Sequence, residues 1–121
     1  MKIAYRNNLP LVNIKVLGKG NRDIEAHIDF AASRTTIPAH IAEELQLQRG
    51  VEATVATAGG VVSMPEYRAV IEAFGKRYAM LVGGLDLPRE SPIQALVGRD
   101  ILDKYRVCLN GKTREIEVSD P

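Results

Sequence analysis

The sequence predicts a mainly β fold, a closed or folded-over barrel of about nine short strands with one or two short helices. Three observations carry that reading. Apolar and polar residues alternate through Val12, Ile14 and Val16 and again through Ile24, Ala26 and Ile28. Val and Thr crowd residues 51–57 and 61–71 on either side of Ala58-Gly59-Gly60. Turn residues separate these runs, and helical spacing is confined to short stretches.

The elements follow in order. The two alternating runs flank Gly18-Lys19-Gly20-Asn21 and form a hairpin aimed at Asp29. The chain passes through the small-residue stretch Asp29-Phe30-Ala31-Ala32-Ser33 and resumes as a strand before Pro38. Pro38 suits a first helical position, and Ile41, Ala42 and Leu45 then share one face of a helix that ends before Gly50. Two strands around the glycine turn make a long hairpin over about residues 54–67, a candidate lid. Phe74, Tyr78, Met80 and Val82 continue the strand pattern around a Gly75-Lys76 turn, and residues 83–92 read as a surface loop. The apolar run Ile93 to Val97 reads as a buried strand stopped by Gly98, and Ile101 to Tyr105 as one or two helical turns. Asn110-Gly111 is the strongest hairpin signal in the chain, joining Arg106 to Leu109 with Thr113 to Val118.

Composition narrows the function. The 121 residues are the length of one domain spanning 1–121. Sixteen basic against 15 acidic residues leave a net charge of +1, with alternating signs, which argues against nucleic acid as the main partner. No apolar run approaches the roughly 20 residues that span a bilayer, and Met1 to Arg6 lacks the apolar centre of a signal peptide. A soluble, cytoplasmic protein with no membrane partner is expected. Cys108 is the sole cysteine, so an intrachain disulfide is impossible. It reads as a small apolar strand residue in preference to a nucleophile, since no His or Lys lies close in sequence to activate it. One Cys and two isolated His argue against a soft-metal site, and neither metal nor organic cofactor is expected.

Asp29 is the candidate chemical group. It follows a strand of buried character among neighbours too small to salt-bridge it, a setting that disfavours an isolated charge. Such a carboxylate is either capped by backbone N–H groups as a turn residue or poised for chemistry. Two segments, Ile28-Asp29-Phe30-Ala31-Ala32-Ser33 and Ala95-Leu96-Val97-Gly98-Arg99-Asp100, with the glycine hairpin between them, stand in the order found in one family. The chain resembles the retropepsin-like aspartic peptidases over roughly residues 11–118. The resemblance implies a closed barrel with a glycine flap formed by Ala58, Gly59 and Gly60, and a catalytic Asp29. It also implies that Gly98, Arg99 and Asp100 brace the active-site region.

That chemistry needs two carboxylates sharing one proton, whereas this chain has one aspartate loop and about half the length of a two-lobed enzyme. The resemblance therefore implies a homodimer with Asp29 of each copy at the two-fold axis, and an extended peptide bound as an added strand. Two letters depart from the family. Phe30 replaces a residue whose hydroxyl locks the loops across the axis, so only apolar packing is open to it. Ala31 replaces a Gly, which strains the backbone by roughly 1 kcal/mol if φ is positive and almost nothing if φ is negative. The alternatives are a peptide-binding or scaffold domain that keeps the fold without turnover, and a structural barrel whose Asp29 caps a turn. His27, two residues before Asp29 on the same strand face, is read as a strand histidine with ordinary hydrogen bonding, and His40 as exposed. Gly59 and Gly60 lack the flanking pattern of a phosphate loop.

Overall fold

The computed structural model describes residues 1–57 and 59–120. The strands are β1 (Lys2–Ala4), β2 (Leu11–Gly18), β3 (Gly20–Ile28), β4 (Thr36–Ile37), β5 (Gln48–Thr57), β6 (Gly60–Ala73), β7 (Lys76–Gly84), β8 (Ala95–Val97), β9 (Arg106–Asn110) and β10 (Glu115–Ser119). Helix α1 (Ala39–Glu44) follows β4, and α2 (Arg99–Leu102) follows β8. Strands β2, β3, β8, β4, β7 and β6 are hydrogen-bonded in that order, and β6 returns to β2 through Lys15↔Glu72, Val16↔Ile71 and Leu17↔Val70. Six strands thereby close a barrel. β5 pairs with β6 outside that ring, while β1, β10 and β9 make a separate antiparallel sheet.

The alternation seen in the sequence fills this barrel. Val12, Ile14 and Val16 of β2 and Ile24, Ala26 and Ile28 of β3 are buried, and β6 and β7 add Tyr67, Ala69, Ile71 and Val82. Burying each aliphatic side chain is worth about 1.5–3 kcal/mol, so the period-2 pattern fixes which face of each strand turns inward. Ile41, Ala42 and Leu45 seat the helical segment on the same core, and Ile101 and Leu102 seat α2.

Several local expectations are corrected. The turn between β6 and β7 is Phe74-Gly75, both at positive φ (53° and 77°), with Ala73 opposite Lys76; it is not Gly75-Lys76. A phenylalanine in that conformation is strained, and its ring is held edge-on to Tyr105 with centroids 5.0 Å apart. The hairpin at Asn110-Gly111 forms between β9 and β10, but its second strand begins at Glu115 and not at Thr113. Asn110 pairs with Glu115 across a four-residue loop in which the Asn110 Oδ1 accepts N–H bonds from Lys112 and Thr113, and Arg114 takes the positive φ. Strand β7 runs on to Gly84, β8 is shortened to Ala95–Val97, and α2 begins at Arg99. The described residues contain ten strands, because the unanticipated β1 is made by pairing with β10. Cys108 is exposed on β9, at the edge of its sheet.

Candidate active site

β3 carries the chain to Asp29 and β4 takes it up at Thr36, yet these strands are not neighbours. β8 lies between them, parallel to β3 (Ala26↔Ala95, Ile28↔Val97) and antiparallel to β4 (Thr36↔Leu96). Residues 29–35 must therefore arch over the end of β8, where Gly98 sits directly against Arg34. A Cβ on Gly98 would lie 2.6 Å from the Arg34 carbonyl carbon and 2.8 Å from its backbone nitrogen. No side chain fits there, which is the physical reason a glycine ends β8.

The arch is fixed by bonds at Asp29, Phe30, Ala31, Ala32 and Thr35. The Asp29 N–H donates to Val97 O at 3.0 Å, and the Ala31 N–H donates to Asp29 Oδ1 at 2.9 Å. The Arg99 N–H donates to Ala32 O at 2.8 Å, and its guanidinium Nη1 to Phe30 O at 2.8 Å. Both Asp100 carboxylate oxygens are taken by Thr35, Oδ2 by the N–H at 2.8 Å and Oδ1 by the hydroxyl at 2.7 Å. The Gly98 N–H in turn donates to Thr35 Oγ1 at 3.2 Å. Thr35 is fully buried, so this closed network satisfies groups that would otherwise be costly inside the protein.

Asp29 is half-buried, and Phe30 beside it stays 44% exposed. Ala31 is not among the residues at positive φ, so its methyl adds no backbone strain and its N–H still reaches the carboxylate. An ion pair ties the arch to the long hairpin: Arg34 Nη1 lies 2.6 Å from Glu66 Oε2, and the Glu66 side chain is only 7% exposed. Glu66 lies in β6 opposite Gly83 of β7, where a Cβ would meet Met64 and Thr36 at under 3 Å. The hairpin base is thus packed on the barrel, while Val61, further out, is exposed, as is Val51 in the irregularity opposite Glu66.

The structure brings Asp29, Phe30, Ala31, Ala32, Gly98, Arg99 and Asp100 into one cluster with Ser33 beside it. Gly60 sits in the hairpin opposite Thr57 with φ of +117°, and Gly59 precedes it; Ala58 lies outside the described residues. The His27 Nδ1 is buried without a hydrogen-bond partner among the described residues, so the expectation of ordinary hydrogen bonding is corrected at that atom. His40 is exposed, its Nδ1 2.7 Å from Asp86 Oδ1, and this bond holds the Asp86 carboxyl below its ordinary range. Surface grooves run along β7, and Ser33 and Arg34 line one of them. No group of three or more metal-ligating side chains forms among the described residues.

Thr35, Arg34 and Glu66 were not anticipated as site residues. Thr35 and Thr36 read from sequence only as part of the strand that resumes before Pro38, and nothing near Arg34 in sequence points to Glu66.

The chain matches no protein-family model and no curated protein. Its fold is retropepsin-like, and it is structurally similar at low sequence identity to retropepsin-like aspartic proteases. The EIAV protease, in complex with the inhibitor HBY-793, superposes with a TM-score of 0.63 at 18% identity, over 84% of this chain and 92% of that one. A retropepsin-like aspartic protease from Rickettsia conorii gives 0.62 at 18% identity, over 96% and 95%. The retroviral protease-like domain of Ddi1 from Leishmania major gives 0.51 at 13% identity, over 93% and 91%.

Proposed function

We propose that this chain is an aspartic endopeptidase that works as a two-fold homodimer, with Asp29 of each copy at the axis. The observation that carries the reading is the Asp29 arch. A carboxylate stands at the end of a barrel strand, its Oδ1 held by the Ala31 N–H, on a backbone that Arg99 and the Asp100–Thr35 pair fix in place. Paired carboxylates that close cannot both ionise, so they hold one proton and titrate as a unit. The ionised member takes a proton from a bound water as its oxygen attacks the peptide carbonyl carbon. The protonated member donates to the carbonyl oxygen, and collapse of the resulting diol passes a proton to the leaving nitrogen. The hairpin of β5 and β6 would cover the peptide, which would add as a strand.

A second reading, a peptide-binding or scaffold domain without turnover, is favoured by Phe30, which supplies no hydroxyl next to Asp29. The deciding experiment is cleavage of an unstructured protein from acid to neutral pH by this chain and by Asp29→Asn. Cleavage abolished by the substitution supports the peptidase; peptide binding without cleavage in either protein supports the second reading.

A further inference from the structure

The chain has two phenylalanines, and they are treated in opposite ways. Phe74 packs against the core and meets Tyr105 edge-on. Phe30 is 44% exposed and is not among the side chains packed on the core. A loose loop would explain such exposure, but this loop is not loose: the Phe30 carbonyl is bound by Arg99, and its neighbours Asp29 and Ala31 are each hydrogen-bonded. The protein fixes the backbone and leaves Phe30 exposed. Scattered exposed apolar residues are ordinary on surfaces. Phe30 differs from Val51 and Val61 in being adjacent to the one carboxylate that needs a second copy of itself.

In a two-fold dimer with Asp29 at the axis, a residue next to Asp29 lies where it can meet its own mate, since the contact is isologous. We infer that the two Phe30 rings pack on each other across that axis, and that this apolar contact holds the two arches in register. The inference rests on the homodimer reading and names the residue that closes the interface. Arg99 braces each arch from within its own chain, so the backbone that carries Phe30 is fixed before the copies meet. Aromatic pairs with centroids about 4.5–7 Å apart are favourable, and buried aromatic anchors near an interface centre dominate its affinity.

The test uses the full chain with 4-fluorophenylalanine at both phenylalanines, followed by fluorine NMR and sedimentation equilibrium over the same concentration series. One resonance, assigned to Phe30 by its loss in Phe30→Ser, should move with dimerisation while the Phe74 resonance stays fixed. Phe30→Ser and Phe30→Gln should each raise the dimer dissociation constant by about 100-fold, because the change occurs on both copies. A dimer that forms with neither resonance moving, or that the variants form as tightly as the parent, overturns the inference; cleavage still lost in Asp29→Asn would then leave the peptidase reading standing. Dimers weakened by Phe30→Ser but without cleavage would keep the inference and remove the peptidase. A Phe30 resonance that moves only on adding peptide would make the ring a substrate contact and overturn the inference, as would a parent chain that stays monomeric at high micromolar concentration.

Discussion

The arch around Asp29 and the hairpin of β5 and β6 are built on opposite principles. The arch borrows its partners from β8 and α2, distant in sequence, which bind its backbone at several points and its buried hydroxyl. The hairpin is paired strand to strand along residues 48–57 and 60–68, with one irregularity between Arg49 and Glu52, and it meets the arch through Glu66 and Arg34. A floor that must hold a carboxylate to within tenths of an ångström needs convergent hydrogen bonds. A hairpin that, on the proposed reading, covers a peptide needs freedom beyond its base, and the Arg34–Glu66 ion pair at that base is compatible with both.

Substitutions can break either side of that contrast. The largest expected effect is on chemistry: Asp29→Asn replaces both carboxylates of the proposed dimer and should lower cleavage of an unstructured peptide by roughly three orders of magnitude or more, as loss of a catalytic unit does. Thermal unfolding should barely change, and an unfolded variant would count against the assignment. Gly98→Ala attacks the floor by geometry, since its methyl would sit 2.6 Å from the Arg34 backbone. Urea unfolding should show a loss of about 3 kcal/mol, and a loss under 1 kcal/mol would mean the arch can move.

Removing Asp100 attacks the floor by chemistry. Asp100→Ala leaves the buried Thr35 N–H and hydroxyl without their acceptor, a cost of about 2–3 kcal/mol, whereas Asp100→Asn keeps one acceptor and should recover roughly half of it. Equal losses in the two variants would show that charge, not hydrogen bonding, holds the loop.

Glu66→Gln tests the joint between floor and cover. It should destabilise the fold by about 1–2 kcal/mol, below the usual range for a broken buried pair because the Arg34 side chain is 35% exposed. Hydrogen exchange should quicken at Thr54 and Ser63 of the hairpin and stay unchanged at Ala31 and Thr35. Equal acceleration in both regions would erase the distinction between them.

The smallest effect lies outside both regions and serves as their control. The His40 ring lowers the Asp86 carboxyl from its ordinary value of 3.8. That pairing contributes stability fully present above this value and lost as pH falls through the folded-state value. With both side chains more than half exposed, the contribution is screened and small. NMR titration should show the Asp86 carboxyl protonating at higher pH in His40→Ala than in the parent, with no change in the Asp29 arch.

The barrel's strands were legible because burial of one face imposes period 2 on the sequence; β2, β3 and β6 alternate where the barrel interior is. The aspartate and the Gly98-Arg99-Asp100 segment were legible as types of residue in an order. Sequence also identified the conformational question at Ala31, although only the backbone answered it. The turn at Phe74-Gly75 was misplaced by one residue, because pairing register and the ring contact with Tyr105 decided which residues take positive φ. Strand β1 was invisible because three residues carry no period, and the partner that makes them a strand is at the other end of the chain. Thr35 with Asp100 and Arg34 with Glu66 were beyond reach for the same reason. Local propensity and period are written in neighbouring residues. A hydrogen bond between distant segments exists only once closure of the barrel has carried β8 between β3 and β4 and brought the base of the hairpin against the arch.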